Sequence, residues 1–189
     1  LLRAKTMLNT SQAFNLRNGI RREDIAAVNS IVTSSGFFTP DEIRIAGELA
    51  EEALVSGAAS GYFFIFADVS GQPAGYACYG PDENNPRKFH LYWIAVHENM
   101  RGSGLGSALI EAAEHEAWAA GAEFLAVETS SRAQYQPTRN FYESQGYTRK
   151  SAIRNHYGPG DHLLLYVKPL SAPDFPAPEE ETAWNFPDV

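Results

Sequence analysis

The chain has 189 residues, 44% apolar and 12% aromatic, enough to bury one substantial core, whereas two domains would each be marginal. Fifteen Lys and Arg against 23 Asp and Glu give a formal charge of −8, which argues against a nucleic-acid binder; five of the acids and none of the bases follow Leu170. A single cysteine, Cys78, excludes an internal disulfide and a multi-cysteine zinc site, and no apolar run approaches the roughly 20 residues of a membrane helix.

In chain order, Gln12 to Asn18 reads as an opening strand. Arg22 to Ser35 reads as a helix with Ile25, Val28, Ile31 and Val32 on one face. Thr39-Pro40-Asp41-Glu42 is a helix start, with a cap residue, a proline and two acids, and the helix should reach about Ser56. Tyr62–Asp68 and Ala74–Tyr79 are strands joined by a turn over Ser70-Gly71-Gln72-Pro73, and Pro81–Pro86 is expected as a polar loop. Lys88 to His97 forms the next strand. Gly104 to Ala120 follows as a helix striped by Leu109, Ala113, Ala117 and Ala120, with Gly121 as its stop. Phe124–Thr129 is a strand, Pro137 starts a short helix that Gly146 ends, and Tyr147–His156 with His162–Lys168 makes a closing hairpin. Residues 171–189 read as an acidic, proline-rich tail in which Trp184 and Phe186 are docking candidates, leaving 1–170 as one domain.

The densest signal is Leu91-Tyr92-Trp93-Ile94-Ala95-Val96 followed by Arg101-Gly102-Ser103-Gly104-Leu105-Gly106. An apolar strand feeding a glycine-rich loop and then a helix presents backbone N–H groups at a helix N-terminus, an anion site; taken alone, the loop also reads as a turn that only joins strand to helix. Glycine lets the backbone approach a pyrophosphate closely, Arg101 brings a fixed charge, and Ser103 and Ser107 bring hydroxyls that can also cap the helix. A phosphate-binding P-loop would need a lysine that the loop lacks. A Rossmann fingerprint would need its third glycine where Ser107 or Leu109 stands and no intervening His97-Glu98-Asn99-Met100.

Arg101, Gly104 and Gly106 meet the pattern Arg/Gln-x-x-Gly-x-Gly/Ala, and Phe141-Tyr142-Glu143-Ser144-Gln145-Gly146-Tyr147 follows about forty residues after the start of the loop. From Phe89 to Lys168 the chain resembles the GNAT superfamily of acetyl-coenzyme A-dependent N-acetyltransferases. The resemblance implies an α/β GNAT fold, a mixed, splayed β-sheet flanked by helices, with acetyl-CoA as cosubstrate and no metal. It implies that pantetheine lies beside the main chain of Ile94, Ala95 and Val96. Arg101, Gly102, Ser103, Gly104, Leu105, Gly106 and Ser107 would hold the pyrophosphate, and Asn140 would bond pantetheine, a surface helix residue being its other reading.

Acyl transfer to an amine needs a neutral nucleophile, a donor for the developing oxyanion and a proton for the departing thiolate. Tyr142 stands where the family places the tyrosine that protonates the sulfur, and a phenol of pKa about 10 suits that role; packing in the core is its other reading. For the base, His90 lies where histone-type members carry a glutamate, and Glu128 ends the next strand where ribosomal-protein N-terminal acetyltransferases carry theirs. Each also has a structural reading, a half-buried strand histidine and a loop-bonding carboxylate. Arg132 and Arg139 flank the short helix and could reach adenosine phosphates or an acidic acceptor; a solvated surface charge is the other reading of each. Asn155-His156-Tyr157-Gly158-Pro159-Gly160-Asp161 resembles the segment that holds the peptide N-terminus in protein N-terminal acetyltransferases, and its Gly and Pro also specify a turn. Cys78 reads as a buried strand residue.

The expected function is acetyl transfer from acetyl-CoA to a primary amine of a small molecule or peptide. A noncatalytic acyl-CoA-binding sensor and a nucleotide-binding regulatory domain are the rival readings. The protein is expected in the cytoplasm, without nucleic-acid or membrane partners, with a homodimer open.

Overall fold

The structure, a computed structural model, describes residues 13–170. Gln12, Trp184, Phe186 and the rest of the tail lie outside the described residues.

The elements are β1 (Phe14–Asn18), α1 (Asp24–Ser35), α2 (Pro40–Ser56), β2 (Phe63–Val69), β3 (Gln72–Asp82), β4 (Asn85–Val96), α3 (Leu105–Ala119), β5 (Phe124–Ser130), α4 (Gln136–Ser144), β6 (Thr148–Gly158) and β7 (Asp161–Pro169). The sheet runs β1-β2-β3-β4-β5-β7-β6, and among the described residues only β4 and β5 pair in parallel. That parallel pair is where the chain must cross over, and α3 is the crossover.

Helices cover both faces. On one side Leu105, Leu109, Ile110, Ala113 and Ala117 of α3, with Tyr142 of α4, pack on Ile65, Ala77, Leu91, Leu125, Val127 and Tyr166. Leu109 and Ile110 are fully buried, each contributing roughly 1.5–3 kcal/mol by leaving water. On the other side Val28, Ile31 and Val32 of α1 and Ala46, Ala50 and Ala53 of α2 cover Phe64, Phe66, Tyr76, Cys78 and Ala95. Thr39 caps α2 in a reciprocal box with Glu42. Cys78 is buried among these side chains, and burial pushes its thiol well up.

Pro81–Pro86 is not a loop. The β3–β4 ladder continues through Pro81↔Phe89 to Asp82↔Asn85, leaving a tight turn. Polar residues conceal this extension because it projects beyond the helices, where a strand needs no apolar alternation.

One irregularity matters most. Tyr79 pairs with Leu91 and the adjacent Cys78 with Trp93, so Tyr92 is an extra residue bulged out of β4. The bulge reverses the strand's alternation: Phe89 and Leu91 face α3, whereas beyond it Ile94 and Val96 face α3 and Trp93 and Ala95 face α1 and α2.

Candidate active site

The β4–β5 ladder ends at Leu91↔Val127, although β4 continues to Val96 and β5 to Ser130. Ile94, Ala95 and Val96 pair with Ala77, Tyr76 and Gly75 on one edge, and their other edge has no strand partner among the described residues. The sheet therefore opens between two strands just beyond the bulge.

At the end of β4 the glycine turn leads into α3. Gly102 and Gly104 hold φ of 74° and 89°, the left-handed region, with open space where a Cβ would stand. The first backbone bond at the head of α3 runs from Ala108 N–H to the Gly104 carbonyl. The amides of Leu105, Gly106 and Ser107 thus lack intrahelical acceptors, and no side chain caps this end. Donors beside two left-handed glycines fit a pyrophosphate.

The side chains of this turn have other duties. Arg101 Nη2 donates to the Ser35 carbonyl at 2.8 Å, and its guanidinium lies 5.2 Å from the Phe37 ring centre. Ser103 Oγ donates to the Met100 carbonyl, and Ser107 Oγ accepts from Gln145 Nε2 at 3.2 Å. What the turn leaves available is mainly backbone.

The last bond brings α4 against α3. Tyr142 is buried beside Phe141, Tyr147 and Tyr166, with ring centres 5.7, 5.9 and 6.3 Å away. Burial pushes its phenol up, so it stays protonated across the neutral range. Asn140 is exposed, and its side-chain oxygen accepts from Gln136 Nε2 at 2.7 Å. Arg139 is turned inward: Nη1 donates to the carbonyls of Ser130 and Arg132 at 2.7 and 2.9 Å and Nη2 to Gln136 Oε1, clamping α4 to the end of β5. Arg132 pairs with Asp161 at 2.9 Å. Both arginines are thereby occupied within the fold.

His90 and Glu128 lie on the opposite face of the sheet from Tyr142. Their neighbours Phe89, Leu91 and Val127 point toward α3, so they point away from it. His90 pairs with Ala126 in the closed part of the ladder, Nε2 is 2.7 Å from Asp82 Oδ2, and its ring stacks on Tyr92 at 5.8 Å. Glu128 is exposed, one residue past the last β4–β5 pair, with no hydrogen bond or ion pair among the described residues.

Phe37 and Tyr135, singled out only by the fold, join the segments that follow β4 and β5. Tyr135 donates to the Phe37 carbonyl at 3.3 Å, so Phe37 bridges Arg101 after β4 and Tyr135 after β5. The available sequence signal was the adjacent pair Phe37-Phe38 behind Gly36, of which Phe38 packs on Trp93 in the core. Tyr157, from the segment 155–161, has its phenol pushed up to about 12 by burial, then by Glu128, Asp161 and Glu42. Among the described residues there is no group of three or more His, Cys, Asp or Glu suited to a metal, and no helix long and apolar enough to cross a membrane.

The model of the Acetyltransferase (GNAT) family matches residues 29–147. A GNAT-family protein from Desulfovibrio desulfuricans has a crystal structure with TM-score 0.82 and 40% identity, covering 84% of this chain and all 100% of that one. A Salmonella typhimurium protein solved with its cofactor acetyl-CoA has TM-score 0.63 and 18% identity over 87% of this chain and 98% of its own, a likeness of fold. An uncharacterized N-acetyltransferase of Methanocaldococcus jannaschii is 27% identical over 122 residues, 64% of this chain and 74% of the relative. With the family match spanning more than half its length, and a splayed sheet meeting a glycine turn, the chain belongs to the GNAT family of acetyltransferases.

Proposed function

We propose that this protein transfers an acetyl group from acetyl-CoA to a primary amine by direct attack, at the opening between β4 and β5. The observation that carries this reading is the opening itself: a free strand edge at Ile94–Val96 that leads directly to the unsatisfied amides of Leu105, Gly106 and Ser107.

Acetyl-CoA supplies an activated thioester when bound. The α3 amides and the backbone of Gly102–Gly104 hold its pyrophosphate, and the free edge of β4 accepts pantetheine as an added strand would. Main-chain N–H groups of that edge polarise the carbonyl. Tyr142, on the α3 side, keeps a proton for the departing sulfur, and its burial favours the neutral phenol.

The amine enters from the opposite face. Glu128, a carboxylate at that mouth with no ion pair among the described residues, receives an ammonium there, while Phe37, Tyr135 and Tyr157 limit its approach. An ammonium must lose a proton before it attacks, and His90, on the same face beneath Tyr92, takes it through water.

The test is release of free coenzyme A against panels of small amines, amino acids and peptides, with mass spectrometry of the amide product. Turnover with an N-acetylated product is the expected result. Tight coenzyme binding without turnover on any panel would favour the sensor.

A further inference from the structure

The β3–β4 hairpin carries a group of side chains that the sequence left unconnected. Asp82 Oδ1 accepts from the Asn84 amide at 2.9 Å, and Oδ2 accepts from Lys88 Nζ at 2.5 Å and lies 2.7 Å from His90 Nε2. Asp82, Lys88 and His90 are each only partly exposed. With donors on both oxygens, Asp82 is held far below the usual carboxylate range, chiefly by Lys88 and then His90, and remains ionised.

An ionised carboxylate only accepts, so the hydrogen of this short contact sits on His90 Nε2. In the neutral imidazole Nδ1 is then left with its lone pair, and it has no hydrogen bond among the described residues. Tyr92 covers one face of the ring at 5.8 Å and is in turn held edge-on by Tyr62 at 5.3 Å, and its hydroxyl donates to the Pro81 carbonyl at 3.2 Å. Ala126 stands beside His90 in the ladder and Glu128 is the next β5 residue on the same face. The groups on the same face around His90 are thus Asp82 and Lys88 on its own hairpin, Tyr92 with Tyr62 above, and Glu128 on the neighbouring strand β5, one residue past the last β4–β5 pair.

We propose that Asp82 is a positioning residue for the acetyl transfer: it fixes His90 as the Nε2–H tautomer and leaves Nδ1 as the proton acceptor on the amine side of the sheet. This rests on the reading of His90 as the base. Lys88 offsets the charge of Asp82, so the unit orients the imidazole without adding a negative charge beside the incoming amine. The ammonium nitrogen gives its first proton through a water to Nδ1, and the imidazolium returns it to solvent; its second proton, lost as the tetrahedral intermediate collapses, passes through water to replace the one Tyr142 gives to the sulfur, so amide, thiol and one released proton balance the ammonium and the thioester.

The tautomer is read by nitrogen NMR on imidazole-labelled, full-length protein above the histidine titration range, with His90 assigned by the signal lost in His90→Gln. The expected spectrum has a pyrrole-type Nε2 and a pyridine-type Nδ1, becoming a tautomer mixture in Asp82→Asn. The opposite tautomer, or a spectrum unchanged in Asp82→Asn, overturns the proposal whether or not an amine substrate has been found. In the acetyl-transfer assay Asp82→Asn should lose about tenfold or more in kcat at unchanged KM for acetyl-CoA, with partial recovery in Asp82→Glu. An unchanged kcat in a folded Asp82→Asn also overturns it. No turnover in the wild type, with the expected tautomer present, would instead fail the reading of the site as an N-acetyltransferase, and with it the catalytic part of this proposal.

Discussion

The ring of Phe141 lies against the α-carbon of Gly106, where an added Cβ would meet its Cε2 and Cζ at 3.5 Å, ordinary van der Waals contact. The second glycine of the motif therefore faces α4, and Gly104, at φ 89° with empty space beside it, is the one whose backbone conformation demands glycine. Gly106→Ala should retain thermal stability and bind coenzyme A within about twofold of the parent, since a methyl fits and helix propensity rises. Gly104→Ala should cost about 1–2 kcal/mol of stability and weaken coenzyme binding, because the turn must leave the left-handed region. Calorimetric titration with coenzyme A checks both, and equal losses would contradict the assignment.

Tyr142 packs by its ring and acts by its hydroxyl, so Tyr142→Phe separates the two. The contacts with Tyr147 and Tyr166 survive the change. Melting should shift little, KM for either substrate should hold, and kcat should fall about a hundredfold. Steady-state kinetics beside a thermal melt are sufficient, and a full-rate Phe variant would remove Tyr142 from the chemistry.

Glu114 on α3 is buried, with Lys168 of β7 at 2.6 Å from Oε2, Oε1 without a partner, and Lys168 Nζ 5.7 Å from the Tyr147 ring centre. Removing only the cation strands a buried charge. Lys168→Met should destabilise by about 3 kcal/mol, and Glu114→Gln added to it should recover much of the loss. Urea unfolding of the two variants tests this, with a penalty that persists in the double variant counting against it.

The order of elements could be read from the sequence because periodicity changes at each boundary and Gly121, Pro137 and Gly146 punctuate it. The glycine turn was legible for the same local reason. What was not legible depends on pairing. Nothing in Leu91-Tyr92-Trp93 distinguishes a regular strand from one bulged at Tyr92, because the bulge exists only relative to the Tyr79–Cys78 register of β3. Yet it decides which side chains face each helix pair. Asp82 was hidden in the same way: it sits eight residues from His90 in an apparent polar loop, and only the extended hairpin ladder brings the two together. The sequence shows the charges of Arg101 and Arg139 but not the carbonyls of Ser35, Ser130 and Arg132 that engage them.

Four buried tyrosines, Tyr76, Tyr79, Tyr142 and Tyr147, have phenols pushed well up, first by burial and in Tyr147 next by Glu114. Their ordinary value is 10.0. In the folded state the neutral phenol is favoured, so the unfolded chain releases these protons at lower pH than the folded one does. Their contribution is therefore fully present below about pH 10 and is lost as pH rises above it, at about 1.4 kcal/mol per pH unit for each tyrosine that ionises only on unfolding. Urea midpoints should be flat from about pH 8 to about pH 9.5 and fall steeply beyond, with the phenolate absorbance of these residues appearing together with the loss of secondary structure. Phenolate absorbance from all nine tyrosines in the still-folded protein would show that these four are not shielded as their burial requires.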